Sequence, residues 1–103
     1  MAGFLIAVGS ATAQTANGHK TTANFLADKC KNWNTSGSFE AGYCVGFITG
    51  VDSQVENCPG DDVTRGQVIK VAVKYMDDHP EELDQAASTV VRRALVKAFP
   101  CPK

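Results

Sequence analysis

The 103-residue chain is poor in the residues that metal sites and enzymes use. It has only two histidines, His19 and His79, and no cysteine pair has the C-x2-4-C spacing of structural zinc sites. There is also no C-x-x-C-H motif for covalent haem attachment. We therefore expect no metal, no cofactor and no catalytic residues, because neither histidine has a nucleophile or a carboxylate with which a catalytic pair can be predicted.

An excess of charge of one sign is also missing. Ten basic and eleven acidic side chains are mixed along the sequence and give a formal net charge of −1. Nucleic-acid binding needs clustered lysine and arginine, so no nucleic-acid partner is expected. Three carboxylate pairs occur, each at a predicted helix start or corner, where solvation and the helix dipole account for them. They are Asp61-Asp62, Asp77-Asp78 and Glu81-Glu82.

The longest apolar run is short and lies at the amino end. Residues 1–13 carry no charged side chain and end in Ala11-Thr12-Ala13, the small-x-small pattern that signal peptidase cuts. The run is shorter than the roughly 20 residues that span a bilayer. We interpret it as a signal peptide remnant that lacks a basic leader; a packed amino-terminal helical turn is the alternative. The expected organisation is a remnant at 1–13, a flexible lead-in at 14–21, and a helical domain at 22–103 that is exported and free of the membrane.

Apolar periodicity in the remaining chain predicts four helices and no strand, hence an all-α domain. The predicted bounds are about 22–31, 39–55, 64–79 and 80–99. Ser38 is the expected cap of the second helix, and Thr64 with Gln67 fits a capping box at the start of the third. Pro80 is expected to end the third helix and to open the fourth at its first position, where a missing N–H is harmless.

Glycine recurs every four residues in the second predicted helix, at Gly42, Gly46 and Gly50. Each glycine inside a helix costs about 1 kcal/mol relative to alanine, so the repeat needs a compensating reason. We predict close helix packing against this strip, either by a neighbouring helix or by the same helix of a second subunit in a homodimer. Tolerated glycines on a strained helix are the simpler alternative.

Four cysteines predict two disulfides in an exported domain. Three pairings are possible. The third and fourth helices, joined by the His79-Pro80 corner, are expected to be antiparallel, which brings Cys58 near Cys101. We therefore favour Cys58 with Cys101, and by exclusion Cys30 with Cys44.

Several short motifs occur in a fixed order between Cys30 and Cys101. They are YCVGFITGV at 43–51, CP at 58–59, VTRGQ at 63–67, YM at 75–76, HPE at 79–81, AL at 94–95 and FPC at 99–101. As an ordered set they resemble the Tai/Rap family of type VI secretion amidase immunity proteins. The resemblance implies a periplasmic, disulfide-containing helical protein, often a homodimer, that plugs the active-site cleft of a peptidoglycan-cleaving amidase toxin.

Inhibition by such a protein needs a loop held on a rigid frame. The candidate loops are 32–38 and 57–62, and the candidate partner-binding residues are Trp33, Asn34, Ser36, Asp61 and Asp62. Tryptophan is a common interface anchor, and carboxylates suit a basic cleft rim. Ordinary solvated connections are the alternative for both loops. The rival function is a periplasmic acid-stress chaperone that exposes apolar surface for unfolded clients when its carboxylates become protonated.

Overall fold

The structure, a computed structural model, describes residues 21–35 and 37–102. This part of the chain contains four α-helices and no strand: α1 (Ala23–Lys29), α2 (Phe39–Asp52), α3 (Arg65–Asp78) and α4 (Ala87–Ala98), with a 3₁₀ turn at Pro80–Glu82. The predicted all-α fold is therefore confirmed. The expected signal peptide remnant (1–13) and all but the last residue of the expected lead-in lie outside the described residues. None of the helices described is long and apolar enough to cross a membrane.

Three of the helices begin at a side-chain cap. Thr22, Ser38 and Thr64 each accept a hydrogen bond from the backbone amide three residues further on. The Thr64 cap is reciprocal, because Gln67 N donates to Thr64 Oγ1 at 3.1 Å while Thr64 N donates to Gln67 Oε1 at 2.9 Å. The predicted caps at Ser38 and Thr64 are confirmed, and each stabilises its helix by about 1 kcal/mol.

Helix α2 ends at Asp52, three residues before the predicted end at Val55. Val55 N still donates to Val51 O at 3.1 Å, so the chain makes one further turn without remaining helical. Ser53 Oγ donates to Gly50 O at 2.7 Å and thereby satisfies a carbonyl that the ending helix leaves free.

The prediction that the fourth helix opens at Pro80 and runs unbroken to Phe99 is wrong. Pro80–Glu82 forms a single 3₁₀ turn, and α4 begins only at Ala87. The intervening residues keep their apolar spacing, which is why periodicity alone extended the helix through them. Their backbone groups are bonded elsewhere in the molecule.

The segment before α4 pairs with the start of α1 in an arrangement that we call the N-terminal clasp (residues 21–24 with 83–87). Thr22 and Ala86 form an isolated antiparallel bridge. The hydrogen bonds run from Ala23 N to Gln85 O, from Asn24 N to Leu83 O and from Ala87 N to Thr21 O, at 2.9, 2.8 and 2.7 Å. The first amides of a helix have no partner inside it, so the clasp supplies the acceptors that α1 needs.

The two disulfides connect the helices at different depths. Cys30–Cys44 joins the end of α1 to α2 inside the core, where both cysteines are buried. Cys58–Cys101 is exposed and joins the chain before α3 to the chain after α4. Both predicted pairings are confirmed. The core around the inner disulfide contains, among others, Leu26, Ile48, Met76, Val90 and Leu95 from the four helices.

Candidate partner-binding surfaces

Trp33 lies against the start of α3. Its ring is half-buried, and atom Cη2 lies 4.0 Å from the place that a Cβ on Gly66 would occupy. Gly66 belongs to the first turn of α3, directly after the loop that carries Asp61 and Asp62. The structure therefore places Trp33 of the first predicted loop beside the first turn of α3, which follows the second loop, and helical periodicity alone does not predict this contact.

The exposed residues at this end are polar. Asn34, Asp61 and Asp62 are all exposed, whereas Ser36 lies outside the described residues. The two aspartates precede α3, where the positive end of the helix dipole favours carboxylates. The exposed Cys58–Cys101 disulfide and the hydrogen bond from Cys58 N to Phe99 O, 2.8 Å long, hold the base of their loop. Partner binding by these residues stays a prediction.

A cluster of aromatic rings on α2 was missed by the sequence analysis. Phe39, Tyr43 and Phe47, which we call the aromatic ridge, follow one another at four-residue spacing. Their ring centroids lie 6.3 and 6.1 Å apart, and Phe25 of α1 packs edge-on against Tyr43 at 5.6 Å. Phe39 is 74% exposed and Phe25 47% exposed, which is unusual for residues of this size. The spacing is visible in the sequence and is the signal that would have found the ridge.

The glycine strip, Gly42, Gly46 and Gly50, lies beside the aromatic ridge on the exposed side of α2. A Cβ added at any of the three would meet no atom within 4 Å in the described chain. No neighbouring helix of the described chain therefore lies at close backbone distance from the strip. Packing by a second subunit stays a prediction.

A shallow groove of about 500 Å³ runs beside the strip, between α2 and α4. Gly46 and Gly50 line it from α2, and Ser88, Thr89 and Arg92 line it from α4. Arg92 is exposed and forms no ion pair with another described residue. The groove thus combines a flat apolar wall with an unpaired positive charge.

The corner between α3 and α4 holds the ionisable groups whose pKa values are displaced. Tyr75 Oη donates to Glu82 Oε2 at 3.0 Å, and Arg93 forms an ion pair with the same carboxylate. Burial raises the pKa of Tyr75, and the hydrogen bond to Glu82 raises it further. Burial also acts to raise the pKa of Glu82, but the hydrogen bonds from Tyr75 and Arg93 and the charge of Arg93 outweigh it, so the net pKa is lowered.

His79 completes this corner. Its ring stacks on Tyr75 with centroids 3.9 Å apart, and its Nδ1 donates to the backbone carbonyl of Tyr75 at 2.8 Å. His79, Glu81 and Glu82 offer ligand atoms within 4.8 Å of one another. We assign no metal to them, because the Glu82 carboxylate is already neutralised by Arg93 and bonded by Tyr75. The corner holds two helices and a turn together.

Comparison with known proteins gives one match. A family model described as Rap1a immunity proteins matches residues 22–101, which include both disulfides and all four helices. No curated protein and no solved structure matches at a significant level.

Proposed function

Since the chain belongs to the Rap1a immunity protein family, we propose that it binds and inhibits a peptidoglycan amidase toxin of a type VI secretion system. The family match over residues 22–101 is the observation that carries this proposal. The amidase target and the secretion system come from the motif resemblance described above, and the same resemblance implies a periplasmic homodimer. The protein acts by stoichiometric binding and not by turning over a substrate.

The end of the molecule formed by Trp33, Asn34, Asp61 and Asp62 is the proposed toxin-binding surface. Trp33 is held against α3, so little side-chain freedom is lost when a partner covers it. Asp61 and Asp62 are exposed and adjoin a disulfide, which presents two carboxylates on a fixed base. A basic rim around the toxin's cleft is the matching surface.

Calorimetric titration of the purified protein with a candidate peptidoglycan amidase from the same organism tests the proposal. We expect 1:1 subunit stoichiometry, a Kd of about 1–10 nM and loss of peptidoglycan hydrolysis at equimolar inhibitor. Absence of binding at micromolar concentrations would refute the amidase as the target.

Paired aspartate variants test the proposed surface separately from the target. Asp61→Ala/Asp62→Ala should weaken binding by about tenfold or more, because two charges facing the partner are removed. The matched control is Asp77→Ala/Asp78→Ala, an exposed acidic pair at the opposite end of α3. Equal affinity in both variants would place the contact elsewhere.

The acid-sensitive corner around Glu82 is the observation that favours the second candidate, an acid-stress chaperone. A chaperone of this kind binds generic unfolded clients only after acidification, whereas an immunity protein binds one toxin while folded at neutral pH. Suppression of client aggregation measured at about pH 7 and about pH 3 separates the two functions.

A further inference from the structure

The exposed side of α2 carries two features that are both unfavourable in an isolated molecule. The aromatic ridge exposes apolar ring surface to water, mainly at Phe39, which is 74% exposed, while Tyr43 and Phe47 are half-buried. The glycine strip beside it weakens the helix, and a Cβ added at any of the three glycines would meet no neighbouring atom within 4 Å. Each ring of the aromatic ridge is followed three residues later by a glycine of the strip. Bulky rings and positions without a side chain therefore alternate along the same face of α2.

We propose that α2 packs antiparallel against α2 of a second copy of this chain, with each ring of the aromatic ridge seated over a glycine of the partner subunit. A single register satisfies all six rings of the pair. In that register Phe39 faces Gly50 of the partner subunit, Tyr43 faces Gly46 of the partner subunit, and Phe47 faces Gly42 of the partner subunit. A twofold axis passes between Tyr43 and Gly46.

The match of spacing identifies a second copy as the occupant. Ridges and grooves with a four-residue repeat on both helices are the usual way in which helices interlock, with a crossing angle near −50°. A twofold interface places the same surface on both sides, so ridge and groove must both be present on one helix. The exposed side of α2 meets this condition.

Charge supports the antiparallel direction. Glu40 lies in the first turn of α2. Arg92 of α4 lines the groove beside Gly50, which lies near the end of α2. Neither side chain forms an ion pair with another described residue. Antiparallel packing brings Glu40 of one copy to the end of α2 where Arg92 of the partner subunit lies, and symmetry repeats the pair.

The surface available suits a weak but specific dimer. A fully buried aromatic side chain covers about 150–250 Å², and because only Phe39 of the ridge is mainly exposed, the rings supply well under the roughly 1,200 Å² of a standard interface. Phe25 beside Tyr43 and the groove walls add to this area. The inference rests on the homodimer within the proposed function and not on the identity of the toxin.

Sedimentation of the full chain without toxin, from about 1 to about 100 µM, tests the interface. We expect a concentration-dependent dimer. Gly46→Leu should weaken it at least about tenfold, because leucine fills the seat of Tyr43 at both symmetric positions. The monomer tolerates this change, since no atom lies within 4 Å of an added Cβ and leucine favours helix. Lys70→Leu, on the exposed side of α3, is the matched control and should leave the dimer intact.

Two further variants make the register falsifiable. Phe39→Ala should weaken the dimer without lowering the melting temperature of the dilute monomer at about 1 µM, because the ring is mainly exposed. Glu40→Arg should weaken it, and Glu40→Arg/Arg92→Glu should restore it to within about threefold. A wild-type monomer at about 100 µM would overturn the homodimer as well as the interface. A dimer that Gly46→Leu leaves unchanged, or a charge swap without rescue, would overturn the interface alone.

Discussion

At the scale of single residues, Glu82 joins three elements through one carboxylate. The residue lies in the 3₁₀ turn, accepts hydrogen bonds from Tyr75 of α3 and pairs with Arg93 of α4. Arg93 also donates to Gln85 Oε1 at 3.2 Å, which fixes the guanidinium beside the turn. The ionised form of Glu82 is therefore the one that the fold favours.

This preference makes stability depend on pH in the acid range. The pKa of Glu82 in the folded protein lies below its ordinary value of 4.5, so its contribution is complete above about pH 4.5 and is lost as pH falls through the lowered pKa. Urea unfolding at a series of pH values should show Glu82→Gln less sensitive to acid than the wild type. Glu81→Gln, at the exposed neighbouring position, serves as the control and should follow the wild-type curve.

Tyr75 produces the opposite dependence at high pH. Burial and the Glu82 hydrogen bond raise the pKa of Tyr75 above 10.0, so the stability it contributes is complete below about pH 10 and falls as pH rises through the raised pKa. Tyr75→Phe should unfold with a weaker dependence on pH in that range. An unchanged alkaline slope in this variant would contradict the assignment.

Trp33 is the sole tryptophan of the chain and reports directly on the proposed toxin surface. A partner that covers this half-buried ring removes water from it, so its emission should shift to shorter wavelength on binding. Fluorescence titration with the amidase measures the shift. Calorimetric binding with unaltered tryptophan emission would contradict contact at this end.

At the scale of elements, α3 owes its start to its cap. The side-chain oxygens of Thr64 and Gln67 each accept a hydrogen bond from the other residue's backbone N–H, so Thr64→Ala should lower the free energy of unfolding by about 1 kcal/mol, within a range of about 0.5–2. Urea denaturation measures the change. Thr35→Ala, at an exposed loop position, should alter stability by less than about 0.5 kcal/mol; equal losses in the two variants would show that the cap contributes nothing.

Local signals explain why α3 was predicted well and α4 was not. The start of α3 is encoded by Thr64 and Gln67, and its end by Pro80, all within a few residues of the boundary. The start of α4 depends on the N-terminal clasp, whose other half lies more than sixty residues earlier in the chain. Apolar spacing continues through 83–86 although the backbone there is not helical, so periodicity cannot locate this boundary.

In the candidate surfaces too, features set by local sequence could be predicted, whereas features set by packing between distant segments could not. Cysteine pairing followed from the antiparallel arrangement of the last two helices, which a short corner imposes. The approach of Trp33 to Gly66 depends on how α1, its loop and α3 pack together, and no local pattern encodes that contact. The four-residue repeat of glycine did predict an unusual surface on α2, and the ring repeat beside it is what motivates the proposed packing against a second copy.

At the scale of the whole molecule, the two disulfides differ in access to solvent. Cys58 and Cys101 are exposed, whereas Cys30 and Cys44 are buried in the core. A mild reductant should therefore open Cys58–Cys101 first and reach Cys30–Cys44 only on unfolding. Alkylation followed by mass spectrometry measures the order, and equal rates of labelling would contradict the difference in access.

Loss of the exposed disulfide should also lower stability and toxin affinity together. Its cysteines are 43 residues apart, and a closed loop of that length restricts the unfolded chain by about 4 kcal/mol in the entropy model. Cys58→Ala/Cys101→Ala should approach that loss in urea unfolding. The same change frees the base of the Asp61-Asp62 loop, so the dissociation rate from the amidase should rise.

The N-terminal clasp sets a limit to trimming of the amino end. An exopeptidase that removes residues 1–20 leaves Thr21 O in place to accept from Ala87 N. Removal of Thr21 and Thr22 as well would eliminate both this acceptor and the Thr22 cap. Both α1 and the segment before α4 would then be less stable. Digestion by an aminopeptidase should therefore stall with Thr21 as the new first residue, and amino-terminal sequencing of the product measures this end point.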